Sequence, residues 1–271
     1  MSESRSRARK HDDILKRAER CVYCPSKGPF TIEHMPPRGM FERKDRPSGW
    51  VFACCCNCNQ NTRGVDAVAQ MFAVIEPSSK TAWKSDKLEA IVGSVNQRAP
   101  RVMEELTSQG SSQNVYVNEN GILKPAREVK VNGIATRAHL DLFAEKMAMA
   151  AFSELCDRPI NMNGILFTEW YLNVGMPTDI YHSSLAIMPC FGQLQQGTKV
   201  SLGQFSLHYN TDKQGLVGAI IKFQSSLSML IFATDDEKYV GPLTKILSEL
   251  ASPSRPTSQL TRPGLTKLCE I

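Results

Sequence analysis

The sequence predicts an α+β protein: a small cysteine-stapled module at the N-terminal end, then an α+β domain with a largely antiparallel sheet. Three observations carry this. Six of the nine cysteines (21, 24, 54, 55, 56, 58, 156, 190 and 269) fall between residues 21 and 58. One long stretch with helical apolar periodicity, 136–157, is followed by several separate β-prone runs. Between these regions lies a helical connector punctuated by Pro77 and Pro100. At 271 residues and 42% hydrophobic content the chain can bury one good core and an accessory module.

Residues 1–20 form a basic arm that turns helical near residue 10, with Ile14, Leu15 and Ala18 on one side. Residues 21–76 hold the clustered cysteines. Between them lie "GPFTIEHMPP" and "GWVFACC", two short β-prone stretches, and after them "NQNTRGVDAVAQMFAVIEP", which reads as a helix packing Val65, Val68, Ala69 and Phe72. The connector, 77–110, contains two short helical patterns. In 111–250, Asn120-Gly121 between β-prone runs predicts a hairpin. The helix over 136–157 is expected to bury one face, through Leu140, Phe143, Met147, Ala151 and Leu155. Strands are expected near 164–170, 181–188, 203–209, 216–223 and 228–233. The Pro/Ser/Thr-rich tail, 251–271, reads as flexible or draped over the surface.

Charge narrows the partner. Residues 1–66 carry 13 Lys and Arg against 8 Asp and Glu, an excess equal to the whole-chain charge of +5. A basic segment beside a candidate site suits nucleic acid, because neutralising phosphates releases counterions; a solvated helix with scattered charges is the plainer alternative. No apolar run approaches the roughly 18 to 20 residues of a membrane span, and the N-terminus is charged where a signal peptide needs an apolar core. The expectation is a soluble, cytoplasmic protein with no membrane partner.

Cys21-x-x-Cys24 and Cys55-x-x-Cys58 each can bring two thiolates to one ion through a tight turn, and four sulfurs complete a closed structural zinc site. Free thiols and a redox dithiol are the alternatives, and Cys54 and Cys56 offer other registers. Only Cys55 with Cys58 leaves two residues between. Inside the clamp lie Glu33 and His34, followed by Pro36-Pro37; directly after it comes Asn59.

With those residues in place, the segment of about residues 20–75 resembles the HNH, or His-Me finger, endonucleases with the ββα-metal fold, particularly their zinc-stapled, endonuclease VII-like type. The resemblance implies that His34 is the general base that activates a water. It implies that Glu33 ligates a catalytic Mg²⁺ or Mn²⁺ distinct from the Zn²⁺ of the staple, with Asn59 as a second ligand through its amide oxygen. The chemistry agrees, since imidazole takes a proton near neutral pH and hard oxygen donors suit Mg²⁺ or Mn²⁺. Asn59 as a helix cap is the structural alternative. Asp66, seven residues on and on roughly the same helical face, is a further candidate ligand. Arg38, Arg43, Arg46 and Arg63 are candidate phosphate contacts, or ordinary solvated loop charges.

Many members of that family carry an additional Asn in the loop that orients the base, yet residues 35–53 contain none. The expected function is a metal-dependent endonuclease acting on DNA, double-stranded above all. Residues 111–250 would serve as a sensor, specificity or dimerisation domain, and stand-alone proteins of this type resemble effectors of bacterial defence or mobile elements. A homo-oligomer, and a regulatory partner or ligand at the C-terminal domain, are further expectations. The rival is a zinc-ribbon module that binds nucleic acid or protein without cutting. His139, His182 and His208 read as ordinary histidines and Trp50, Trp83 and Trp170 as core residues before stacking platforms.

Overall fold

A computed structural model describes residues 3–41, 46–75, 82–119, 121–172, 195–201, 203–224, 226–250, 259–261 and 264. The basic arm is a helix, α1 (Glu3–Arg17), longer than its apolar spacing predicted. It is followed by β1 (Phe30–His34), a short 3₁₀ turn (Arg38–Met40) and β2 (Val51–Cys55). β1 and β2 pair antiparallel, from Phe30 opposite Cys55 to His34 opposite Val51. The expected single helix after the second cysteine pair is two: α2 (Cys56–Asn61) and α3 (Arg63–Val74), broken at Thr62. Val65, Val68, Ala69 and Phe72 are all buried, as their spacing required.

The connector is helical throughout its described part, with α4 (Ala82–Arg98) and α5 (Pro100–Thr107). Pro100 opens α5 as its first residue, where a missing N–H costs nothing. Next come β3 (Ser112–Glu119) and β4 (Ile122–Val129), paired antiparallel as the predicted hairpin requires, with Gly121 between them at φ +84°.

The long helix is α6 (Ile134–Cys156). It differs from the one-sided helix expected: every residue from His139 to Phe152 is buried. A helix apolar on all sides has partners on all sides. Here α3 and α5 pack against it from one direction and a six-stranded sheet from the other. That sheet is wholly antiparallel, in the order β10-β5-β9-β8-β7-β6. Its strands are β5 (Ile165–Leu172), β6 (Gln195–Ser201), β7 (Phe205–Thr211), β8 (Leu216–Phe223), β9 (Leu227–Thr234) and β10 (Gln259–Thr261), with α7 (Glu237–Leu250) between the last two. β8 and β9 read as near-continuous apolar runs because both their faces are covered.

Two strands were not expected. β6 is polar and lies on the edge, and β10 places part of the Pro/Ser/Thr-rich tail in register against β5. The segment expected as a strand at 181–188 lies outside the described residues, as do His182, Arg43, Cys190 and Cys269. Among the described residues no helix is long and apolar enough to cross a membrane.

The loop between β1 and β2 is fastened to the sheet rather than left in solvent. Phe41 and Trp50, both buried, stack edge-on against Phe205, with ring centroids 6.2 and 6.0 Å away. Phe205 in turn meets Phe223 at 5.5 Å, and Phe223 meets Phe143 of α6 at 6.1 Å. Most of the buried apolar residues form one contiguous core from Cys21 to Ala233, while Phe167, Ile220, Leu230 and Phe232 of the sheet are buried outside it. Truncating the central ring of this chain, Phe205→Ala, is expected to cost about 3 to 5 kcal/mol in urea unfolding. A cost under about 1 kcal/mol would show that the loop is held by other means.

Candidate metal clamp and the carboxylate-histidine site

The cysteine clamp assembles from three elements. Cys21 and Cys24 precede β1, Cys55 ends β2, and Cys58 lies in the first turn of α2. Their four Sγ atoms lie within 4.8 Å of one another, and Cys24 Sγ is 3.7 Å from Cys55 Sγ. A tetrahedral ion with metal–sulfur bonds of about 2.3 Å needs sulfurs about 3.8 Å apart, so the four fit a closed metal site in both kind and spacing. Backbone bonds prepare the loop: Cys21 N–H donates to Ser26 O at 2.8 Å and Val22 N–H to Ala53 O at 3.0 Å.

The thiols share their protons unequally. Hydrogen bonding to Cys54 and Cys58 holds Cys21 well below the ordinary thiol range, while the same contacts push Cys54 and Cys58 up. Burial pushes Cys24 up to about 11. Cys54 is a fifth sulfur close by, 3.9 Å from Cys21 Sγ but outside the four that converge. Cys56, a half-buried residue of α2, is likewise not one of the four that converge.

Strand alternation separates Glu33 from His34. Glu33 is 5% exposed, and its Oε1 accepts from Tyr23 Oη at 3.3 Å and pairs with Lys146 Nζ at 3.0 Å. Lys146 comes from the middle of α6 and is fully buried. Its ammonium also donates to Asp66 Oδ1 at 2.7 Å and Thr62 Oγ1 at 2.9 Å, and sits 5.4 Å from the centre of the Tyr23 ring. Burial alone would push this lysine down, but Asp66 and Glu33 outweigh it and hold the ammonium above the ordinary lysine value. Burial pushes the Glu33 carboxyl up, against the pull of Lys146.

His34 ends β1 on the other side. Its Nε2 accepts from the Arg38 guanidinium at 2.5 Å, which assigns the nitrogen as the lone-pair side of a neutral ring. The His11 ring of α1 meets it edge-on with centroids 5.8 Å apart. Asn59 stands inside α2, not at its cap; Cys55 is the cap, its sulfur accepting from Cys58 N–H. The Asn59 amide donates to Thr31 Oγ1 at 2.8 Å and to Ile32 O at 3.4 Å, which ties the helix to β1 beside Glu33-His34 and leaves Oδ1 as its acceptor.

The arginines divide by role. Arg46 is spent on the backbone carbonyls of Met35, Pro36, Gly49 and Trp50, so it closes the loop instead of facing outward. Burial brings its pKa down to about 10. Arg38 and Arg63 are exposed.

The structure therefore brings Glu33 and Asp66 together on one ammonium, ties Asn59 of α2 to β1, and sends His34 to the opposite face of that strand. Lys146, Tyr23 and Thr62 were missed by sequence reasoning. The signal was a lysine inside the apolar run "KMAMAAF", a charge that a buried helix carries only with a partner. The carboxylate and amide oxygens are hard donors that fit a divalent ion in kind, with Glu33 Oε2 and Asn59 Oδ1 the oxygens not taken up by the contacts above.

Two outcomes check this geometry. Protein purified under reducing conditions is expected to carry one metal ion per chain by elemental analysis; Cys55→Ser should lose it and Cys54→Ser should keep it. Lys146→Met strands two carboxylates and should cost about 3 to 5 kcal/mol in denaturant unfolding of the metal-loaded protein. Adding Glu33→Gln should recover part of that loss, and strict additivity of the two would deny the pairing. Compared with protein-family models, curated proteins and solved structures, the chain matches none of them, so its chemistry rests on the arrangement of its own residues.

Proposed function

We propose that the chain is a zinc-stapled endonuclease of the HNH type that hydrolyses phosphodiester bonds of DNA, with Zn²⁺ on Cys21, Cys24, Cys55 and Cys58. The observation that carries the reading is the bond from Asn59 to β1: the helix that begins at the second cysteine pair ties this amide to the strand that carries Glu33 and His34. An effector role in bacterial defence or a mobile element belongs to the same proposal, by analogy alone.

In this reading His34 is the general base. Arg38 now donates to His34 Nε2, and a phosphate entering beside it is a stronger, charged acceptor for the same guanidinium. With Arg38 on a phosphate oxygen, His34 Nε2 would take the proton of an attacking water. Arg63 and the basic α1 add positive potential along the approach. Mg²⁺ or Mn²⁺ held by Glu33 and Asn59, with Asp66 near, would neutralise charge on the phosphate, and because Glu33 and His34 lie on opposite faces of β1 the substrate would have to reach both around the strand end at His34. Lys146 fixes Glu33 in place.

A second reading is favoured by one observation: the ammonium of Lys146 already bridges Glu33 and Asp66. A pair balanced in this way suits a zinc-ribbon module that binds nucleic acid or protein without cutting it.

Incubation with plasmid, linear and single-stranded DNA plus Mg²⁺ or Mn²⁺ separates the two. The nuclease reading expects nicking that falls about 10²- to 10⁴-fold in His34→Ala while the metal on the cysteines is retained. Salt-dependent binding with no nicking under either ion would establish the binding module instead, and cleavage unchanged in His34→Ala would remove the histidine from the mechanism.

A further inference from the structure

A recess of about 300 Å³ opens where α3, the α4–α5 junction and α6 meet, apart from the clamp and from His34. Asn61, Gly64, Arg98, Arg101 and His139 supply its polar and close-packed walls. We propose that it binds the terminal phosphate of a small phosphorylated molecule, a phosphomonoester such as a nucleoside monophosphate.

Four independent features converge on that ligand. Arg98 and Arg101 are exposed at the rim, and neither has a hydrogen bond or ion pair among the described residues. Two unpaired guanidiniums on one recess form a fork for phosphate oxygens. His139, 6% exposed, lines the inner wall. Its Nδ1–H donates to Ala135 O at 2.7 Å, while its Nε2 has no hydrogen-bond partner among the described residues. A ring nitrogen on a nine-tenths buried side chain that lines a recess is a group that a ligand in that recess can reach.

The backbone adds to this. α3 and α5 both begin without a side-chain cap, so neither helix start facing the recess is closed by a side chain of its own, although Val102 N–H of α5 is taken by Ala99 O. The neighbouring carboxylate, Glu105, is already committed, accepting from Ala135 N–H and Thr136 N–H at 2.8 Å each at the start of α6. Gly64 permits the approach of the walls: a Cβ there would stand 2.9 Å from Arg98 O and 3.6 Å from His139 Nε2.

Charge and shape favour a monoester. Burial pushes the His139 imidazole below its ordinary value, opposed by its bond to Ala135 and by the nearby Glu105. A phosphate monoanion can donate its own P–OH to Nε2, and a dianion can instead draw a proton onto it. The volume is about ten times the ~30 Å³ share of one water, so a phosphate with part of an attached sugar is accommodated. A diester within a nucleic-acid strand carries a sugar on both sides; it meets the rim arginines but does not reach His139. Because the walls come from the segment after the clamp, the connector and α6, a bound anion would tie these three together. The proposal stands whether or not DNA is cut.

The test is calorimetric titration of the full chain with inorganic phosphate, with AMP and with a duplex oligonucleotide, in wild type and in Arg98→Ala, Arg101→Ala, the double variant and His139→Asn. Inorganic phosphate or AMP is expected to bind at roughly 1 mM or tighter, with each arginine variant weaker by roughly tenfold and the double variant silent. Both arginines are exposed, so circular dichroism should report an unchanged fold in those variants. His139→Asn should weaken AMP and phosphate while leaving any duplex binding alone. The proposal is overturned if neither small ligand binds, if the double variant binds them as wild type does, or if only the duplex responds to the arginine substitutions.

Discussion

A fully buried ammonium shared by two carboxylates is the constraint on which the arrangement of this protein turns. Bringing a charge out of water costs several kcal/mol even after relaxation, so Lys146 can lie at the centre of the core only with Glu33 and Asp66 beside it. Those partners come from β1 and α3, whereas the lysine comes from α6. The cysteine-bearing segment and the long helix thus cannot part without stranding charge. Thr62 and Tyr23 complete the shell: the hydroxyl accepts from the ammonium, and the ring lies against it.

This constraint gives the Glu33-His34 pair two separate tasks. The pleat of β1 turns Glu33 inward to the ammonium and His34 outward to Arg38 and His11. The acid is immobile for an electrostatic reason. The imidazole is placed by the strand end and by a loop whose Phe41 and Trp50 are packed on Phe205. Arg46 seals that loop by donating its guanidinium N–H groups to four of the loop's own carbonyls. A residue type that reads as a phosphate contact in sequence is a structural clasp in space.

What was legible in the sequence was local. Two CxxC pairs define the clamp because two intervening residues suffice to bring sulfurs together, and Asn120-Gly121 defines a hairpin because a tight turn requires positive φ. β8 and β9 were visible from β-branched and apolar runs. The Lys146 bridge was not visible, since it joins residues from three distant parts of the chain and no spacing rule reaches that far. α6 was half legible: its apolar stripe predicted one buried face, while the burial of Asp141 and Glu145 depends on partners elsewhere, such as Trp170 Nε1, which donates to Asp141 at 2.8 Å. β6 and β10 escaped because edge strands take their order from the neighbour they pair with rather than from their own apolar pattern.

The same charge count bears on how a catalytic ion would behave in the proposed nuclease. Glu33 and Asp66 together carry two negative charges, and Lys146 returns one positive charge between them. A divalent ion reaching Glu33 and Asn59 therefore meets a site with a single net negative charge and one amide dipole, a weak protein cage for Mg²⁺, which binds by few carboxylates and keeps its waters. The phosphate of the substrate supplies the charge that is missing. On that reading Lys146 would make ion and substrate interdependent: the protein alone would hold the metal loosely, and the ion would be seated firmly only with a phosphodiester to act on.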